Sequence, residues 1–98
     1  MTLKPYKPAY IEFLLNTNPD DFIGKYYNIQ EFFDKSIEYA RKNDLNTNYT
    51  KQKFSKDIKK VIPEYYKRYN NIRGYQFINA NKNHLINILK AYDPNYKF

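Results

Sequence analysis

Between Thr50 and Ile78 the chain carries eight Lys/Arg and only two acids, Asp57 and Glu64. Cations at this density suit phosphate, because each neutralised phosphate of a nucleic acid releases condensed counterion. The candidate contacts are Lys51, Lys53, Lys56, Lys59, Lys60, Lys67, Arg68 and Arg73. Gln52, beside them, has an amide that can pair bidentately with adenine, so it is the candidate for reading a base. Other chemistries lack their parts. The chain has no Cys, one His (His84) and two Gly (Gly24 and Gly74). That removes disulfides, thiolate zinc sites and Gly-rich phosphate loops. Asp20 and Asp21, next to Pro19, read as a capping or solvated pair. We therefore expect no catalytic residue, no metal and no cofactor.

Each candidate also has a plain reading. Thirteen Asn and fourteen Lys against three Arg match the coding bias of an AT-rich genome, under which the lysines are simply a solvated face. Gln52 is then an ordinary helix former and Arg73 a turn residue. Tyr65, Tyr66, Tyr69 and Tyr75 can stack on unpaired bases, but alternating aromatics in a small hairpin more often form its core. Coding bias would, however, spread lysines evenly, and they are not even. Residues 1–49 hold six Lys/Arg and seven Asp/Glu, a net of −1, while residues 50–98 hold eleven and three, a net of +8. Such an asymmetry points to a polyanion.

These side chains need elements to position them. Ninety-eight residues with twelve Tyr and seven Phe suffice for one domain, 1–98, with residues 1–8 as an irregular arm. A short helix is expected from Pro8 to Leu15 and a polar turn over 16–21. Ile23 to Tyr26 reads equally as a strand or a connector. Asn28 and Glu31 form a capping-box pattern for a helix over 29–43, with Ile29, Phe33, Ile37 and Ala40 as its apolar stripe. Thr50 caps a helix to Ile62 that buries Phe54, Ile58, Val61 and Ile62. A hairpin should pair 65–69 with 75–79 around Asn70–Gly74, with Arg73 at its tip, Gly74 supplying positive φ, and Lys67 and Arg68 on opposite faces. A closing helix should present Leu85, Ile86, Leu89 and Tyr92, ending at Pro94.

That order makes an α+β, mostly helical chain: a winged helix-turn-helix with a C-terminal wing hairpin and a closing helix. A helix about 10–12 Å across fits a major groove about 12 Å wide, and a hairpin after it reaches the neighbouring backbone. The expected partner is DNA, duplex or forked. The run Phe32-Phe33-Asp34-Lys35-Ser36-Ile37-Glu38-Tyr39-Ala40, then Thr50-Lys51-Gln52-Lys53-Phe54-Ser55-Lys56-Asp57-Ile58, then Lys67-Arg68 and Arg73-Gly74-Tyr75-Gln76-Phe77-Ile78, resembles the winged-helix domain that ends primase-helicases of phages, mobile elements and large DNA viruses, including the poxvirus type. The resemblance covers about half the chain. It implies a domain that engages origin or forked DNA beside a replicative helicase ATPase, or a free-standing relative that regulates or inhibits.

A second reading keeps the fold and changes the partner to a host protein, such as a defence complex. Its support is the acidic, aromatic first half, with Tyr10, Phe13, Phe22, Tyr26 and Tyr27. No stretch approaches the roughly 20 apolar residues of a membrane helix, and Met1–Pro5 lacks a signal-peptide run. We expect an intracellular, cytoplasmic protein with no membrane partner.

Overall fold

Asn28 starts the helix around which the rest is arranged. In the computed structural model, which describes residues 7–98, its side chain accepts from the Glu31 amide while the Glu31 carboxylate accepts from the Asn28 amide, so the capping box closes. The helix it opens, α2 (Ile29–Lys42), follows α1 (Ala9–Asn16), a 3-10 turn at Pro19–Asp21 and a short strand β1 (Tyr26–Asn28). Next comes α3 (Lys51–Val61), capped by Thr50, whose hydroxyl accepts from the Lys53 amide. A 3-10 turn at Pro63–Tyr65 leads into the hairpin β2 (Tyr66–Tyr69) and β3 (Ile72–Gln76), and Asn81 caps α4 (Lys82–Tyr92). The result is an α+β chain, roughly half helical. Of the arm expected over 1–8, residues 1–6 lie outside those described.

The three strands form one antiparallel sheet in the order β1-β3-β2. The undecided stretch after Ile23 thus contributes an edge strand, set two to three residues later than the candidate span. Its register on β3 puts Tyr27 opposite Tyr75, and both rings face the helices. Phe32 is the hub of the core, with its ring 5.1–6.1 Å from those of Phe13, Phe22, Tyr27, Phe54, Tyr75 and Phe77. Edge-on and offset contacts of this kind add to the area they bury.

Several expectations are corrected. The buried stripe of α2 is Phe32, Ser36 and Ala40, with Ile29, Phe33 and Ile37 only half-buried. Ser36 fits because its hydroxyl donates to the Phe33 carbonyl (2.6 Å) and accepts from Tyr49 (3.0 Å), so no polar atom is left bare. The second hairpin strand begins at Ile72, not Tyr75, because the turn shrinks to Asn70-Asn71. Both asparagines take positive φ (51° and 64°), the two-residue turn whose twist matches a hairpin. Gly74 has no positive φ. It is needed because a Cβ there would lie 2.2 Å from the Tyr27 carbonyl oxygen. Tyr65 falls in the 3-10 turn before β2, and Tyr92 is exposed.

Candidate nucleic-acid interface

The amphipathic phase of α3 decides which lysines can meet a partner. Phe54, Ile58 and Val61 are buried on one side, so Gln52, Lys56, Lys59 and Lys60 turn outward, as their spacing of 100° per residue requires. Tyr75 fixes the helix against the sheet: its hydroxyl donates to the Ser55 carbonyl at 3.2 Å. Burial raises the Tyr75 phenol to about 12, and the Ser55 bond only partly offsets that, so the group stays a neutral donor.

Between α3 and the hairpin lies a groove of about 640 Å³. Lys51, Gln52, Lys56, Lys59 and Lys60 line it along the helix, while Ile29, Pro63 and Tyr66 contribute apolar surface. Lys59 Nζ stands 4.7 Å above the Tyr66 ring, a cation–π contact that leaves its charge beside the groove. Lys51 Nζ donates to Gln30 Oε1 at 3.1 Å, which ties the groove's end to α2.

The hairpin register extends this cationic side. Tyr66 pairs with Tyr75 and Arg68 with Arg73, so all four side chains share the face turned toward α3. Lys67 pairs with Gly74 and sits on the opposite face. The alternation expected of Lys67 and Arg68 therefore resolves in favour of Arg68. Arg73, expected at the tip, stands within β3 directly across from Arg68. Like charges so placed repel, and among the described residues neither arginine has an acidic partner.

No family model matches this chain, and neither a curated protein nor a solved structure does.

The acids are withdrawn from the groove. Glu64 Oε2 lies 2.8 Å from His84 Nε2, on the α4 side. Asp57 accepts from the Tyr10 hydroxyl and sits 3.3 Å from Lys53 Nζ. Burial pushes its carboxyl up, but the Tyr10 and Lys53 hydrogen bonds, with the charges of Lys53 and Lys60, outweigh that and hold it below the usual carboxylate range. Lys53 is thereby separated from the other candidates: it is paired with Asp57, beside Tyr10 and Tyr49 rather than in the groove. The structure brings together Lys51, Gln52, Lys56, Lys59 and Lys60, adds Arg68 and Arg73 on the same side, and leaves Lys53 and Lys67 elsewhere.

Tyr66 and Pro63 were not among the nine candidates, though both line the groove. Their signal was positional, since they join the basic helix to the hairpin. Of the five first-half rings named above, Tyr10, Phe13, Phe22 and Tyr27 are core and Tyr26 is partly exposed. Among the described residues there is no cluster of His, Cys, Asp or Glu able to hold a metal, and no helix long and apolar enough to cross a membrane.

Proposed function

We propose that this chain is a winged-helix module that binds DNA, with α3 as the groove-reading helix and the β2–β3 hairpin as the wing, and with no catalytic step of its own. The observation that carries the reading is the distribution of pairing. Among the described residues Lys56, Arg68 and Arg73 are exposed without acidic partners on one side, and Lys60 beside them makes no ion pair although it lies within the field of Asp57, while Asp57 bonds Tyr10 and Lys53 and Glu64 bonds His84. The helix order and the β1-β3-β2 sheet support the fold assignment, because they set a two-helix turn against a hairpin. Lysines on α3 would meet phosphates flanking the major groove, Gln52 a base edge, and the arginines the adjacent backbone. The primase-helicase resemblance would place such a module beside a replicative ATPase. The protein-partner reading is left with the acidic first half and Tyr26, since Tyr10, Phe13, Phe22 and Tyr27 are core.

The test is fluorescence anisotropy on labelled DNA with circular dichroism as the folding control. Lys56→Glu with Lys60→Glu should raise Kd at least tenfold, about 1.4 kcal/mol. Glu12→Lys with Asp21→Lys, away from the groove, should leave binding equal or slightly tighter. A folded double-glutamate variant that binds as wild type does, or a wild type that binds no DNA, overturns the reading.

A further inference from the structure

The outer face of the hairpin differs from the face that bears the arginines. Tyr69 and Ile72 stand opposite each other beside the Asn70-Asn71 turn, 43 % and 53 % exposed. Together with Tyr92 on α4 they are the exposed large apolar side chains among the described residues. Single exposed apolar residues are ordinary. Here, however, two stand together at a hairpin end and the ring of a third residue holds them in place. The Tyr26 ring lies 5.2 Å from that of Tyr69, and its hydroxyl donates to the Ile72 carbonyl at 2.7 Å. Tyr26 reaches across the sheet because Gly74 leaves the space: a Cβ at 74 would lie 2.8 Å from the Tyr26 hydroxyl. The ring platform is therefore built into the sheet.

We propose that the wing recognises a junction of duplex and single-stranded DNA, with its arginine face on duplex phosphates and the Tyr69 ring stacked on the first unpaired base. This deepens the DNA-binding reading and rests on it. Charge identifies the occupant: residues 66–76 include Lys67, Arg68 and Arg73 and no acid, so the patch sits in a positive field that favours a polyanion. An aromatic ring among cations is the arrangement that holds unpaired bases. Inside a duplex every base face is already stacked and a ring enters only at the cost of unstacking, so an unpaired nucleotide is the favoured partner of the ring. Lys67, on the same face as Tyr69, is placed to meet the phosphate of the departing strand.

The test compares a blunt duplex with a fork of the same duplex sequence carrying 2-aminopurine at the first unpaired position. Wild type should bind the fork roughly tenfold more tightly than the duplex, and the probe's fluorescence should change on binding. Tyr69→Ala should abolish that preference and the fluorescence change while leaving duplex affinity intact, and Tyr69→Phe should retain both. Arg68→Ala with Arg73→Ala should weaken both DNAs. Ile72→Ser serves as a second, milder lesion of the platform and should reduce fork preference alone. Equal affinity of wild type for fork and duplex overturns the junction proposal and leaves the DNA-binding reading standing, as does a folded Tyr69→Ala variant that keeps its fork preference. Absence of binding to either DNA overturns both.

Discussion

Lys53 and Lys56 are less than one turn apart on α3, yet the molecule treats them differently. Lys53 lies on the α1 flank, where Asp57 neutralises it and Tyr10 in turn anchors Asp57. Lys56 lies on the groove flank, exposed and, among the described residues, without an acidic partner. One flank uses its charge to join two helices, while the other leaves its charge available to a partner. The lesson is that residue type identifies a candidate and the pairing around it selects the site.

The largest break of that comparison is Asp57→Ala. It removes an acceptor from the buried Tyr10 and a partner from the exposed Lys53, and should cost about 1–3 kcal/mol of stability, mostly through Tyr10. Thermal melting reads the loss. DNA affinity should be unchanged or slightly better, because Lys53 is released; a marked loss of affinity in the folded variant would erase the distinction between the flanks.

The same flank should show its chemistry in acid. Both Asp57 and Asp93 titrate below the ordinary carboxylate value of 3.8, and for Asp93 the leading cause is the hydrogen bond from Lys7, whose Nζ lies 2.6 Å away. A carboxyl whose pKa is lower folded than unfolded contributes stability above the unfolded value and loses it as pH falls through the folded one. The Tm gap between wild type and Asp57→Asn should therefore be constant from about pH 8 to 5 and close as pH falls below about 4. A gap that widened in acid would mean that the carboxylate is not the stabilising form.

The finest comparison is in the salt dependence of DNA binding. Lys56→Ala and Arg68→Ala should each reduce the slope of log K against log salt by about 0.9, one phosphate apiece. Lys53→Ala should leave the slope as it is. An equal change for all three would place Lys53 in the interface after all.

How much of this was legible beforehand depended on how far each interaction reaches along the chain. The caps at Asn28, Thr50 and Asn81 involve residues three apart, and sequence shows them directly. So did the stripe of α3, where every buried position is apolar. The phase of α2 was hidden because Ser36 occupies a fully buried position, made tolerable by Tyr49, 13 residues on. The start of β3 was hidden because asparagines, not glycines, supply both left-handed turn positions. Gly74 could be read as important but not why, since its constraint is the backbone of β1. Lys53 was indistinguishable from its neighbours because its fate depends on Tyr10, 47 residues away from Asp57. Distant partners set the surroundings of both Lys53 and Gly74.

Arg68 facing Arg73 has a thermodynamic corollary. Folding the hairpin brings two like charges together, and an anion seated between them relieves the repulsion. Strand pairing and anion capture are therefore linked quantities: whatever occupies the arginines also tightens the ladder from Tyr66 to Gln76. Simple salt would then have two opposed effects, since it screens the arginines and steadies the hairpin while it would compete for the proposed phosphate contacts. Ionic strength would thus act as a governor on the hairpin, trading its intrinsic order against its grip on an anion.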